Sequence, residues 1–303
     1  MPQLLPPEAP PTPPDDPVRA VEVEAGPLRL SGLLALPAGA PPRAVLVALH
    51  GGGMRAGYFH GRADPATSML SLAAACGYAA LALDRPGYGS SAAALPDGLP
   101  LAEQAGYVLA ALESHAREHP VGAGFFLLGH SMGGKLALMT AARDGAGAGA
   151  QRLLGVDVSG ISDRWAVGSD RLADPVGRRG HRLHWGPLAL YPPGTFRMAE
   201  PLVGPIPRNE LRDVPCWPRT YPSVARDVRV PVRFTFAEHE KWWRSDRWTV
   251  EAMTARLASP LVRVERLACA GHNISLGRTA RGYHLGVLAF LEECVARAEA
   301  GAR

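Results

Sequence analysis

Three runs with scarcely a polar residue, AVLVALH (44–50), YAALALD (78–84) and FFLLGHS (125–131), recur along this chain with helix-length stretches between them. A strand that is apolar on both faces has to be covered on both. The arrangement that supplies two covers is a parallel sheet with helices above and below it. The rhythm extends through the chain: helices are expected around 66–76, 101–119 and 132–143, then the strand LLGVDVSG, the strand PVRFTFAE, a helix around 245–258, the strand LVRVERLA and a last helix from about 279 to 298. Ahead of them, VRAVEVEAG and LRLSGLLALPA read as two strands meeting at a Gly26-Pro27 turn, a hairpin that opens the sheet. The expected fold is therefore α/β, a doubly wound and mostly parallel sheet.

Two stretches stand outside this rhythm. Residues 1–17 (MPQLLPPEAPPTPPDDP) are dominated by proline, which cannot donate to a ladder, so a disordered arm is expected there. Residues 161–228 are rich in Pro, Arg, Trp and His, show only short helical fragments, and are too long for a structureless loop. They are assigned to an inserted helical cap, which leaves 18–160 and 229–303 as the core. At 303 residues nothing forces a further division. GAGAG (145–149) reads as a connector, since no strand feeds directly into it.

Charge and cysteine usage narrow the function classes. The 32 basic residues are scattered among 28 acidic ones without a long run, which argues against a nucleic-acid surface. Cys76, Cys216, Cys269 and Cys294 form no C-x-x-C pair, so neither a zinc site nor a disulfide framework is indicated. No apolar stretch reaches the ~18 residues of a membrane span, and the N-terminus lacks a signal-peptide pattern. The expectation is a cytoplasmic protein that uses no membrane.

Gly129-His130-Ser131-Met132-Gly133 lies between a buried apolar strand and an Ala/Leu-rich helix, the context in which G-x-S-x-G forms a sharp turn that exposes a nucleophile. A serine hydroxyl is a poor nucleophile at neutral pH unless a base takes its proton. His272 is the candidate base, because it follows the last strand and would reach the same carboxyl edge of the sheet as Ser131. Of the other histidines, His130 lies inside the turn, His115 and His119 belong to a helix, and His181 and His184 fall in the cap. A third group, a carboxylate after PVRFTFAE, is needed to orient the imidazole. Glu240 is preferred to Glu238, which lies closer to the strand; Asp157 and Asp246 are weaker alternatives. A carboxylate at any of these positions can equally be a surface or helix-capping residue.

His50-Gly51-Gly52-Gly53 follows the first buried strand and has the character of an oxyanion loop, in which Gly51, Gly52 and Gly53 let backbone N–H groups face a developing O⁻ together with the N–H of Met132.

Taken together, LHGGG (49–53), DRPGYGSS (84–91), GHSMGG (129–134), AEHE (237–240) and GHN (271–273) resemble the α/β-hydrolase superfamily in order and spacing, over about residues 20–160 and 229–298. The resemblance implies acyl transfer through a serine ester, normally to water, with no metal and no organic cofactor. It gives Asp84 and Arg85 a supporting role in the fold. The acid position departs from the usual G-x-x-D, and serine at the turn separates the chain from relatives with an aspartate nucleophile. An esterase or thioesterase acting on a small-molecule substrate with a small to medium hydrophobic acyl group is the leading expectation. The alternatives are an acyltransferase or cyclase that uses the same acyl-enzyme, a peptidase, and a non-catalytic ligand-binding protein of this fold. Trp165, Trp185, Tyr191, Phe196, Trp217 and Tyr221 would give the cap its apolar surface.

Overall fold

The computed structural model describes residues 17–145, 153–168 and 178–301. The proline-rich arm, apart from Pro17, and the connector beyond Gly145 thus lie outside the described residues. Eight strands form one sheet: β1 (Val18–Ala25), β2 (Leu28–Ala35), β3 (Val45–Leu49), β4 (Ala79–Leu83), β5 (Phe125–His130), β6 (Leu153–Ser159), β7 (Val232–Ala237) and β8 (Val262–Leu267). Their order is β1-β2-β4-β3-β5-β6-β7-β8. The hairpin β1–β2 joins β4 antiparallel, and every other pairing is parallel.

Helices cover both faces: α1 (Met69–Ala75), α2 (Leu101–Glu118), α3 (Met132–Arg143), α4 (Arg178–Trp185), α5 (Thr195–Ala199), α6 (Arg208–Asp213), α7 (Trp217–Asp227), α8 (Arg247–Thr254) and α9 (Ala280–Gly301). Because successive strand residues point to opposite faces, each central strand divides its side chains between two cores. Val45, Val47 and Leu49 join Leu112 of α2 and Leu136 of α3 on one side. Leu46 and Ala48 join Leu70 of α1 and Leu291 of α9 on the other. That division explains why these strands read as unbroken apolar runs. β8, in contrast, lies at the edge of the sheet, and its Arg263, Glu265 and Arg266 are exposed, a charge pattern that discourages pairing with another chain.

The chain between β6 and β7 carries α4 to α7. Its last helix, α7, contributes Trp217, Tyr221 and Ala225 to the core that also holds α2 and α3. Among the described residues no helix is long and apolar enough to cross a membrane.

The sheet positions the loops. β3 and β5 are parallel neighbours with Leu49 opposite Gly129, so the loop after β3 and the turn after β5 emerge side by side. β7 and β8 are likewise neighbours, with Ala237 opposite Leu267, which brings the segments holding Glu240 and His272 together.

Candidate active site

Ser131 lies between β5 and α3 with φ 53° and ψ −117°. A positive φ is strained for a residue with a Cβ, so neighbouring structure has to enforce it. The Ser131 N–H donates to Ser159 O on the adjacent strand at 2.8 Å, while Ser131 O accepts from the N–H groups of Gly134 and Lys135 at the start of α3. The turn closes only because its flanks are bare: a Cβ at Gly133 would stand 2.0 Å from Leu49 O, and one at Gly129 would stand 2.5 Å from Gly133 O. The G-x-S-x-G spacing is thus a steric requirement of this turn.

Ser131 Oγ is 3.2 Å from His272 Nε2, and His272 Nδ1 is 2.8 Å from Glu240 Oε2. The carboxylate is acceptor only, so Nδ1 carries the ring proton and Nε2 is left to accept from the serine hydroxyl. Both side chains are closed off from solvent, at 2% and 1% exposure. The second Glu240 oxygen accepts from the N–H groups of Lys241 (2.9 Å) and Trp242 (2.8 Å). Burial alone would raise the Glu240 carboxyl, but the His272 charge, its hydrogen bond and those two backbone donors outweigh it and hold the group below the usual carboxylate range.

The other candidate acids are engaged elsewhere. Glu238 is exposed and accepts from Cys269 N at 2.7 Å. Asp157 is buried in an ion pair with Arg233 (2.6 Å) and accepts from Tyr283 Oη (3.2 Å). Asp246 caps α8 through Thr249 N at 3.0 Å. The imidazole of His130 stacks on Tyr58 and lies 4.9 Å from the His272 ring. Burial first, then the charges of His272 and His184, push its pKa well down. A neutral His130 places no positive charge beside the His272 ring.

Gly52 is packed against Met132, and among the described residues neither backbone N–H has a hydrogen-bond partner. Gly51 approaches the elbow itself, with its Cβ position 3.3 Å from Ser131 Cβ. Gly53 differs from the expectation drawn from the Gly-rich run: its N–H donates to Tyr88 Oη at 3.1 Å and is not a free donor. The loop is anchored from below. His50 accepts from Arg85 N at its Nε2 (3.0 Å), so its Nδ1–H donates to Gly51 O (2.8 Å). Arg85 forms a two-pronged pair with Glu210 of α6, both at 0% side-chain exposure, and Tyr88 Oη lies 3.0 Å from the same carboxylate.

A cavity of about 230 Å³ opens above Ser131, His272 and the glycine loop. Trp165, Trp185, Trp242, Trp243, Ile206 and Val214 give it an apolar wall. Of the six aromatics expected to line a cap, Trp165 and Trp185 border this space. Tyr191 and Phe196 pack on Trp185, and Trp217 and Tyr221 sit in the core. Among the described residues no group of His, Cys, Asp and Glu is placed to hold a metal ion.

A sequence profile described as "Alpha/beta hydrolase family" matches residues 45–281, more than three-quarters of the chain. The chain belongs to the α/β-hydrolase family. Solved structures with the same fold include a thermostable carboxyl esterase from Bacillus coagulans (16% identical, TM-score 0.66, covering 92% of this chain and 99% of that one). They also include the 2-hydroxy-6-oxo-6-phenylhexa-2,4-dienoate hydrolase of a Rhodococcus (17%, 0.63, 91% and 99%) and a monoacylglycerol lipase from Paleococcus ferrophilus (19%, 0.61, 89% and 99%). No curated protein matches the chain in sequence.

Three further residues of this α/β-hydrolase site are not singled out as candidates by the sequence. His184, in the segment between β6 and β7, stands 5.5 Å from the His272 ring and accepts from Trp242 Nε1 at 3.2 Å. Asn273 lines the cavity and donates to His184 O at 3.2 Å. Lys135 of α3 borders the cavity although it is buried.

Proposed function

We propose that this α/β-hydrolase cleaves a carboxylic ester or thioester through an acyl-enzyme on Ser131. In the first half-reaction His272 Nε2 takes the hydroxyl proton as Oγ bonds to the acyl carbon, and Glu240 stabilises the imidazolium that forms. The N–H groups of Gly52 and Met132 are assigned to the oxyanion, with Gly51 and Gly53 shaping the loop that presents them. His272 then returns the proton to the departing alcohol or thiol. Water attacks the acyl-enzyme with the same histidine as base, releasing the acid and the free serine.

The observation that carries this reading is the unbroken chain from Ser131 Oγ through His272 to a buried carboxylate, at 3.2 and 2.8 Å. We further assign residues 161–228 to a cap over the carboxyl edge of the sheet. Its Trp165 and Trp185 border the cavity, consistent with a small hydrophobic acyl group. The test is labelling with a fluorophosphonate, followed by a screen of aryl esters of graded chain length beside acyl thioesters. One phosphonate on Ser131 together with ester or thioester turnover is expected. A protein that is folded, unlabelled and inactive on both classes would refute it.

A further inference from the structure

Lys135 lies one helical turn beyond Ser131 on α3, borders the same cavity, and is 1% exposed. Among the described residues its Nζ has no hydrogen-bond partner. Three indole rings box it in instead, at 5.0 Å (Trp165), 5.1 Å (Trp243) and 5.7 Å (Trp217). Ring faces attract an ammonium's charge but leave its three N–H donors without acceptors. A lysine with a purely structural role usually lays its stem along the surface and keeps its charge in water. Here the amine is turned inward, where an apolar side chain of the same length would pack without leaving donors unpaired.

Neither acid whose charge acts on it, Glu210 or Asp213, hydrogen-bonds to it. Glu210 is engaged with Arg85 and Tyr88, and Asp213 accepts from Leu101 N at 2.7 Å. The cavity is thus bordered by an amine whose N–H donors find no acceptor among the described residues. We propose that Lys135 selects esters that carry a carboxylate a short chain away from the scissile carbonyl, the carboxylate displacing the edge of the indole box to accept from Nζ. This deepens the serine-hydrolase reading above and rests on it. One turn of helix separates the two residues by about 6 Å along the axis, so a spacer of a few methylenes is the appropriate length. Acyl and alcohol parts of the ester can both present such a group.

Burial pushes the Lys135 amine down to about 7, so the ammonium is present below that pH and lost above it. The titratable or charged groups acting on it are Glu210 and Asp213 of α6, Cys216 beyond that helix, and Arg85 after β4.

The experiment compares kcat/KM for p-nitrophenyl hemiesters of four- to eight-carbon dicarboxylic acids with that for their neutral methyl-ester counterparts. A second series places the carboxylate on the alcohol. Any pH effect on the serine chemistry itself falls on both members of each pair and cancels in the ratio. At pH 6 the wild type is expected to favour the carboxylate by tenfold or more at one chain length, in one series at least, and the preference should shrink between pH 7 and 8.5. Lys135→Met should bring the ratio to about one. Should that variant not fold, the pH dependence of the wild-type ratio decides, together with calorimetric binding of adipate to Ser131→Ala. Equal turnover of charged and neutral esters, a preference that persists in Lys135→Met, or one that does not change with pH would overturn the proposal while leaving the serine mechanism standing. Absent phosphonate labelling defeats the serine mechanism separately, and adipate binding still decides for or against Lys135.

Discussion

Replacing Glu240 by glutamine separates shape from charge at the buried end of the relay. The amide is nearly the same size, but the geometry dictates how it will sit. Oε1 accepts from the Lys241 and Trp242 N–H groups, and an –NH₂ cannot take that place, so the amide oxygen stays there and the –NH₂ faces His272. Nδ1 must then accept, which moves the ring proton to Nε2, where Ser131 needs an acceptor. The imidazolium also loses its counter-charge. With charge centres about 4 Å apart and an effective dielectric of about 20, that attraction is worth about 4 kcal/mol, or about three decades in rate. The wrong tautomer adds to this, so kcat on a small aryl ester should fall by about 10³- to 10⁴-fold with little change in KM. Glu238→Gln is the control. Its carboxylate is exposed, and a surface change of this kind is worth about 0.5 kcal/mol or less, so its kcat should stay within about threefold. A loss below tenfold in a folded Glu240→Gln protein, or a larger loss at Glu238, would refute the assignment of the acid.

Ser131→Ala should remove both phosphonate labelling and turnover while leaving the melting temperature close to wild type; residual labelling in mass spectra of the variant would point to another nucleophile. Glu210→Gln leaves Arg85 buried beside a neutral partner, a change that typically costs about 3–5 kcal/mol, so the melting temperature by scanning calorimetry should drop by roughly 5–8 °C in a chain of this size. An unchanged value would mean that the pair is not closed in solution. Trimming Trp165 or Trp185 to alanine should shift preference along a series of aryl esters, whereas Tyr221→Ala, which opens a hole in the core away from the cavity, should lower stability by about 3–5 kcal/mol without that shift. An unchanged preference in both folded tryptophan variants would sink the selectivity role of the cap.

How much of this was legible in the sequence depended on whether the physics is local. The elbow could be read because its constraint lies within five residues: no side chain fits at Gly129 or Gly133, and the apolar strand before them is continuous. His272 followed from strand order, since β8 delivers its trailing loop to the edge of the sheet that β5 also reaches. Choosing Glu240 over Glu238 turned on a two-residue difference in where β7 ends, at Ala237, and the pattern alone expressed it weakly. What was not legible depends on contacts between distant segments. Nothing in the sequence distinguishes Lys135 from a solvated lysine on a helix, because its burial comes from tryptophans about 30, 80 and 110 residues further along. The Gly53 N–H looked free because its partner, Tyr88, lies in another turn.

The same distant pairing bears on how far the segment between β6 and β7 acts independently of the glycine loop and the turn at Ser131. Glu210 of α6 holds Arg85 and lies in hydrogen-bond reach of Tyr88; Tyr88 holds the Gly53 N–H, and the Arg85 backbone holds His50. These four contacts run without a break from an inserted helix to the glycine loop to which we assign the oxyanion. A cap that only filtered substrates would change KM when perturbed and leave the chemical step alone. One whose carboxylate positions the loop must change kcat as well, because donors displaced by even a fraction of an ångström lose part of their hold on the transition state. Kinetics of Glu210→Gln below its lowered melting point distinguish the two: a fall in kcat for a minimal ester such as p-nitrophenyl acetate, too small to use the cap's apolar wall, indicates positioning, and an unchanged kcat limits the segment to selection.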